Sequence, residues 1–202
     1  MRVVPTGAGD QRDLPHPQEF QAITKVRYFA DGRRIAFSAI DLANKSHLYV
    51  QSVLPRDSES DASADPEQVA EDELVLTAGP SPDGKWLAAR AKDKRSVLVN
   101  VESGDQTALK DFALSDLPLQ WTADGKALWV QRWPKKGSGI GGVELLKYEL
   151  ATAHLTHIGW FDPPDPVGMQ GVREGVLTPD GKHYVYTVNQ QLDELFLLEG
   201  VR

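Results

Sequence analysis

The stretch Ser81-Pro82-Asp83-Gly84-Lys85, followed by Trp86-Leu87-Ala88-Ala89, decides the fold because it returns three more times in the 202-residue chain. The other copies are Phe29-Ala30-Asp31-Gly32-Arg33, Trp121-Thr122-Ala123-Asp124-Gly125-Lys126 and Leu177-Thr178-Pro179-Asp180-Gly181-Lys182. In each copy an Asp-Gly pair separates two strand-like runs, and glycine supplies the positive φ that a two-residue hairpin needs. The four copies therefore predict four hairpins of one kind.

The spacing of these turns predicts a repeating unit. Asp31 and Asp83 are 52 residues apart, Asp83 and Asp124 are 41 apart, and Asp124 and Asp180 are 56 apart. A four-stranded propeller blade takes roughly 40–45 residues, so the longer spacings indicate blades with insertions. No segment shows sustained helical periodicity of apolar residues. We therefore predict an all-β fold, a β-propeller of four-stranded antiparallel blades.

The boundaries of the units indicate an incomplete ring of about four blades, the C-terminal part of a larger propeller. The predicted division is a partial blade at 1–15, blades at 20–77, 78–110 and 113–159, and a partial final blade at 170–202. In the first full blade, Leu74-Val75-Leu76-Thr77 is the predicted fourth strand. The alternative is a strained four-blade ring in which Gln11-Arg12-Asp13-Leu14 pairs beside residues 195–198.

The acidic stretch from Arg56 to Glu73 predicts a surface insertion, because it carries many like charges and little aliphatic bulk. An acidic partner-binding arm is the alternative interpretation. The whole chain has a net charge of −7 and a pI near 5.2, which argues against broad attraction to nucleic acid or an anionic membrane.

The composition excludes several kinds of chemistry. The chain has no cysteine, and so has no disulfide, cysteine nucleophile or thiolate metal site. It has no apolar run of about 18 residues and no N-terminal signal-peptide core. The sequence does not determine the cellular compartment, and an extracytoplasmic location would need an upstream signal peptide or membrane span.

We predict no catalytic, cofactor-binding or metal-binding residue. The five histidines are scattered, and no Gly-x-Ser-x-Gly elbow occurs. The Gly-rich loop at 134–142 lacks the ending of a phosphate-binding loop. The Asp-Gly residues are predicted to be structural, with each aspartate capping backbone amides of its hairpin. They are Asp31, Gly32, Asp83, Gly84, Asp124, Gly125, Asp180 and Gly181.

The large aromatic residues divide into two groups. One group lies in strands beside the turns and is predicted to fill the layers between blades: Phe37, Trp86, Trp121, Trp129, Tyr184 and Tyr186. The second group lies beside two long loops, one after a second strand and one between blades, which emerge at the same end of a meander. It defines a possible partner-contact rim of Trp133, Lys135, Lys136, Trp160, Phe161 and Met169. Anchoring of the loops against the blade is the alternative role for these aromatics.

The four Asp-Gly turns, preceded by Ser-Pro, Thr-Pro or Thr-Ala, resemble the WD40-like repeats of the TolB family of β-propellers. The run from Val176 to Gly200 resembles the end of the propeller in bacterial eukaryotic-type serine/threonine kinases and related sensors. This resemblance implies a part of a larger multidomain signalling protein. The sequence itself has no His-Arg-Asp or Asp-Phe-Gly kinase motif.

We therefore expect a non-enzymatic binding or sensing module without a cofactor. Its expected partner is a protein or peptide, with no nucleic acid and no direct membrane insertion, and strands of a parent protein would complete the ring. Two alternatives remain: a propeller that gates a peptidase or hydrolase domain outside this sequence, and a TolB-like periplasmic scaffold. Any kinase or hydrolase activity would lie outside this chain.

Overall fold

The computed structural model consists of strands and turns, with no helix, in the residues that it describes. These are residues 1–4, 6–15, 20–53, 65–133, 142–162, 169–172, 175–178 and 181–191. Every strand pair in them is antiparallel. The predicted all-β class is confirmed.

Three four-stranded meanders form the body of the molecule, and each keeps its strands in chain order. The first sheet contains β3 (Phe20–Tyr28), β4 (Arg34–Asp41), β5 (Ser46–Ser52) and β6 (Glu67–Gln68). The second contains β7 (Leu74–Pro80), β8 (Trp86–Ala91), β9 (Ser96–Asn100) and β10 (Gln106–Ala108). The third contains β11 (Asp116–Trp121), β12 (Ala127–Arg132), β13 (Val143–Glu149) and β14 (His154–Phe161). The inner strands β3, β7 and β11 contact one another in that order, as in consecutive propeller blades.

Short strands flank these sheets. At the front, β1 (Arg2–Val3) pairs with β2 (Arg12–Asp13). At the back, β15 (Met169–Val172) pairs with β18 (Val188–Gln190), and β16 (Val176–Leu177) pairs with β17 (Tyr184–Val185). Since β16 and β17 lie between β15 and β18 in the chain, the two pairs are successive parts of one hairpin.

The predicted border between the first two blades is wrong. Leu74 opens the inner strand of the second sheet, whereas Glu67–Gln68 is the fourth strand of the first. Leu74 and Leu76 are buried between the two sheets, and Glu67–Gln68 is exposed at the edge. An outer strand needs few apolar residues because one side of it faces water. The sequence of Glu67–Gln68 therefore has no apolar pattern that would predict a strand.

The Asp-Gly turns are longer than the predicted two-residue hairpins. The Gly84 amide donates to the Ser81 carbonyl at 2.9 Å, and the Ser81 amide donates to the Trp86 carbonyl at 2.8 Å. Gly84 has a φ of 71°, and Asp83 is not among the residues with positive φ. A two-residue type I′ turn would need positive φ at both positions. The structure instead has a four-residue loop in which the glycine alone is left-handed.

Apolar layers hold neighbouring sheets together. Phe29, Leu48 and Leu87 belong to the layer between the first and second sheets, and Trp121 and Leu128 belong to the layer between the second and third. Direct hydrogen bonds also cross these layers. The Leu76 amide donates to Ser38 Oγ at 2.6 Å, and Trp121 Nε1 donates to the Gly79 carbonyl at 2.9 Å.

The N-terminal hairpin covers the outer face of the first sheet. Leu14 is 5% exposed and packs with Ile35 and Phe37, and its amide donates to the Met1 carbonyl at 2.8 Å. The alternative ring closure would pair residues 11–14 beside residues 195–198. In the structure Arg12–Asp13 pairs with Arg2–Val3, and residues 195–198 lie outside the described part of the chain.

Candidate functional site

The meander topology separates two ends of the propeller. The Asp-Gly turns join the first and second strands of each sheet, so they share one end, which we call the turn end. The loops between second and third strands lie at the opposite end, together with the starts of the inner strands. We call this the loop end.

At the turn end, the predicted turn aspartates accept hydrogen bonds within their own loops. Asp83 Oδ1 accepts from the Ser81 hydroxyl at 2.6 Å and from the Lys85 amide at 3.1 Å. The Ser81 hydroxyl bond and the Lys85 amide lower the pKa of the Asp83 carboxyl. Asp124 makes the equivalent bonds with Thr122 and Lys126, at 2.6 and 3.1 Å, and Asp31 accepts from the Arg33 amide at 2.7 Å.

The fourth turn is described in part. The Gly181 amide donates to the Thr178 carbonyl at 2.8 Å, and Gly181 has a φ of 68°. Gly32, Gly84 and Gly125 have φ values of 66°, 71° and 68°, so the four glycines share one conformation. Asp180 lies outside the described residues.

The three aromatic residues of the predicted rim differ in exposure. Trp160 is 56% exposed at the end of β14, whereas Trp133 and Phe161 are half-buried against the cluster around Leu145. Trp133 Nε1 donates to the Val172 carbonyl at 3.0 Å. Trp133 and Phe161 therefore lie where loop anchoring would place them. Trp160 is exposed, as a partner contact requires.

The side chains of the other three rim residues are not among those that the structure describes. Lys135 and Lys136 lie outside the described residues, and Met169 begins β15 with a side chain that is not described.

A row of charged side chains crosses the third sheet at the loop end and leads to Trp160. Asp116 is fully buried and accepts from Arg132 Nε at 2.6 Å and Nη2 at 2.9 Å. Arg132 Nη1 also reaches Glu144 at 3.5 Å. Glu144 Oε1 lies 2.9 Å from His157 Nδ1, and the His157 and Trp160 rings are 6.2 Å apart. Hydrogen bonding to Asp116 raises the pKa of Arg132, so this guanidinium stays charged.

A cleft of about 500 Å³ opens at the same end between the first and second sheets. We call it the inter-sheet cleft. Its lining residues come from β3, from β4 and β5 with the connection between them, from β7 and the residue before it, from β8 and the residue after it, and from β11. They are Thr24, Lys25, Ile40, Asn44, Ser46, Glu73, Val75, Leu76, Thr77, Arg90, Ala91, Lys92 and Leu117.

A second cavity, of about 620 Å³, lies at the turn end between the second and third sheets. Asp83, Trp86, Lys110 and Tyr148 line it, and burial raises the pKa of the Tyr148 phenol. We call it the turn-end cavity.

Sequence reasoning missed the inter-sheet cleft. Its residues are spread from Thr24 to Leu117 and share no motif. Register irregularities at Ile23/Lys25 in β3 and at Leu76/Gly79 in β7 mark its two walls. Bulges re-aim side chains and are frequent beside binding sites. Gly79 is the only local signal in the sequence, because an isolated glycine in a strand indicates such a bulge.

Within the described residues, no group of three or more His, Asp and Glu side chains could hold a metal ion. The same part of the chain contains no helix that is long and apolar enough to cross a membrane.

Comparison with solved structures shows a likeness to TolB proteins. TolB from Acinetobacter baumannii superimposes with a TM-score of 0.66 at 15% identity, over 93% of this chain and 44% of that chain. A putative TolB from Agrobacterium tumefaciens gives a TM-score of 0.63 at 17% identity, over 92% of this chain and 61% of that one. The fold is a TolB-like β-propeller.

Solved structures of proteins other than TolB also superimpose on this chain. The tricorn protease matches with a TM-score of 0.52 at 15% identity, over 91% of this chain and 16% of the protease. An oligogalacturonate lyase from Vibrio parahaemolyticus gives 0.53 at 14% identity, over 83% of this chain and 46% of that one. No protein-family model and no curated protein matches the sequence. At these identities the likeness defines the fold alone, and the chain spans less than two thirds of each TolB structure.

Proposed function

We propose that this TolB-like propeller is a non-enzymatic module that binds a protein or peptide at its loop end. The observation that carries the proposal is the exposed Trp160. A tryptophan that is 56% exposed beside a charged row offers a large amphipathic contact surface. Tryptophan and arginine are enriched among the residues that dominate binding energy at protein interfaces.

The polar contacts beside Trp160 support this role. Glu144 contacts His157 and Arg132, and the guanidinium of Arg132 is fixed on the buried Asp116. Residues that are held in this way lose little conformational freedom when a partner docks, which lowers the entropic cost of binding.

Selection from a displayed library of random peptides tests the proposal. The purified chain is the bait, and enriched peptides are re-tested on two variants. Trp160→Ala removes the exposed indole at the loop end. Tyr28→Ala removes a side chain that is 55% exposed next to the Asp31-Gly32 turn at the turn end. We expect the enriched peptides to lose about tenfold in affinity on Trp160→Ala and to bind Tyr28→Ala unchanged.

Two outcomes would contradict the proposal. In the first, selection enriches no peptide above the background of an unrelated bait. In the second, the enriched peptides bind Trp160→Ala as well as the parent chain.

We also propose that the module belongs to a larger multidomain signalling protein. The resemblance of the run from Val176 to Gly200 to kinase-associated propellers supports this. Reading the open reading frame around the chain tests it. A kinase domain with a membrane span is the expected finding, and a Gly-x-Ser-x-Gly hydrolase domain would favour gating of an enzyme instead.

A further inference from the structure

We propose that the inter-sheet cleft binds an acidic side chain, flanked by aliphatic residues, in an extended peptide of the partner. This inference rests on the proposed function and adds the chemistry that the partner must present. The cleft opens at the loop end, as does the surface around Trp160, so both lie at the end of the propeller that the partner is proposed to contact.

The first observation is a pair of hydroxyl groups without partners. Thr77 is 3% exposed and lines the cleft, and its Oγ1 has no hydrogen-bond partner among the described residues. Ser46 Oγ, on the opposite wall, is also buried without a described partner. A buried hydroxyl that forms no hydrogen bond destabilises the folded state. An ordered water or a ligand oxygen can supply the missing hydrogen bond.

The second observation is the charge of the lining residues. Lys25, Arg90 and Lys92 line the cleft with a single acid, Glu73. Lys92 Nζ and Glu73 Oε1 pair at 2.8 Å, so the lining as a whole carries more positive than negative charge. The positive charge of this lining contrasts with the chain as a whole, whose net charge is −7.

Arg90 is held by neutral groups. Its Nε donates to the Lys94 carbonyl at 3.2 Å, and its Nη2 donates to the Leu114 carbonyl. Within the described residues it has no carboxylate partner. The backbone carbonyls fix the position of the guanidinium but do not neutralise its charge. Arg90 can therefore attract an anion.

The walls of the cleft are mostly aliphatic. Ile40, Val75, Leu76, Ala91 and Leu117 contribute them, and Val75 is 42% exposed. A volume of about 500 Å³ is within the range of ordinary ligand sites. The cationic and hydroxyl groups of the lining can bind a carboxylate, and its aliphatic walls can pack against aliphatic side chains next to that carboxylate. A polyanion such as nucleic acid would instead need an extended basic surface.

Two tripeptides that differ in one group test the inference. Acetyl-Val-Glu-Leu-amide is titrated at millimolar concentration into the isotopically labelled chain and followed by NMR. The matched neutral probe is acetyl-Val-Gln-Leu-amide. We expect the glutamate peptide to shift the amide signals of Val75, Thr77 and Ala91, and the glutamine peptide to bind about tenfold more weakly.

Three variants test the lining. Thr77→Val keeps the shape and removes the unpartnered hydroxyl, so we expect a Tm higher by about 2–4 °C together with about fivefold weaker peptide binding. A purely structural threonine would not give these opposite changes. Lys25→Gln should weaken binding of the glutamate peptide alone. Lys110→Gln, in the turn-end cavity, is the control and should leave binding unchanged.

The inference is overturned if neither peptide shifts the cleft signals, if the two peptides bind equally, or if Thr77→Val lowers the Tm. Its failure is distinct from that of the proposed function. If the selected peptides depend on Trp160 but the amide signals of the cleft do not shift, the proposed function is supported and the carboxylate site is not. Tripeptide binding without any selected peptide would leave a carboxylate site in a chain that is not a peptide-binding module.

Discussion

The glycines of the Asp-Gly turns meet one requirement in common, and three of them meet a second. All four adopt positive φ, and Gly84, Gly125 and Gly181 also lie against the preceding sheet, whereas a Cβ on Gly32 would have nothing within 4 Å. A Cβ on Gly125 would lie 3.4 Å from Pro82 Cδ, and one on Gly181 would lie 2.9 Å from Trp129 Cζ2. The first requirement could be predicted from the local sequence, because Asp-Gly is a turn signal by itself. The second could not, because it depends on how two sheets pack.

Asp83 is predicted to stabilise its turn. Replacement by alanine removes the acceptor of the Ser81 hydroxyl and the Lys85 amide. We expect the free energy of unfolding to fall by about 0.5–1 kcal/mol, a modest value because the turn is exposed. Thermal and urea unfolding measure it. Asp10→Ala, at an exposed site in the N-terminal hairpin, is the charge-matched control, and an equal loss in both variants would remove the special role of Asp83.

The same carboxyl links stability to acid pH. The Ser81 hydroxyl and the Lys85 amide lower the pKa of Asp83 below its usual 3.8. The unfolded chain therefore takes up protons first as the pH falls, so the stabilisation is present above about pH 4 and is lost below it. Unfolding by urea across pH 2–6 measures the slope. Asp83→Asn should flatten that slope, and an unchanged slope would contradict the assignment.

At the scale of the elements, the sequence predicted strands that carry their own apolar pattern. The third sheet, from Asp116 to Phe161, lies close to the predicted blade at 113–159, since strands such as Val143–Glu149 bury their apolar residues. The outer strand Glu67–Gln68 was missed because its residues are polar and exposed. Pairing with β5 determines this strand, and such pairing is not visible in the residues themselves.

The third sheet depends on the buried pair of Asp116 and Arg132. Arg132→Met leaves the Asp116 carboxylate with the Ala113 amide, at 2.8 Å, as its described partner. We expect a loss of about 3 kcal/mol, at the low end for a broken buried pair, because the Arg132 side chain is 30% exposed. Arg95→Met breaks an exposed pair with Asp93 and should lower the stability far less, because solvent screens an exposed ion pair. Similar losses in the two variants would contradict this account.

At the scale of the whole molecule, each sheet owes its stability to its neighbours. The buried clusters join the first sheet to the second, the second to the third, and the third to the last hairpin. The repeat predicted this stacking, because a four-stranded unit must cover both of its faces. The inter-sheet cleft could not be predicted in the same way, since its walls come from several strands of three sheets.

Tyr184 joins the last hairpin to the third sheet and should respond to alkaline pH. Its hydroxyl donates to Gln131 Oε1 at 2.9 Å, and burial, followed by the nearby Tyr186, raises the pKa of Tyr184 to about 12. The folded chain thus holds its proton longer than the unfolded chain, so stability is complete below about pH 10 and falls as the pH approaches 12.

Phenolate absorbance and urea unfolding between pH 9 and 12 measure this effect. One of the five tyrosines should titrate last, and Tyr184→Phe should abolish that step and reduce the loss of stability. Tyr28→Phe, at a side chain that is 55% exposed, is the control. Retention of the late step in Tyr184→Phe would assign it to another residue.

Every strand pair in the three full sheets joins strands that are adjacent in the chain. The first of these sheets contains only residues 20–68, so it can pair as soon as Gln68 has left the ribosome. Each later sheet then emerges beside one that already exists, and it completes the apolar layer between them. Local pairing of this kind favours rapid, stepwise folding during synthesis, so the order of translation is also the order of assembly.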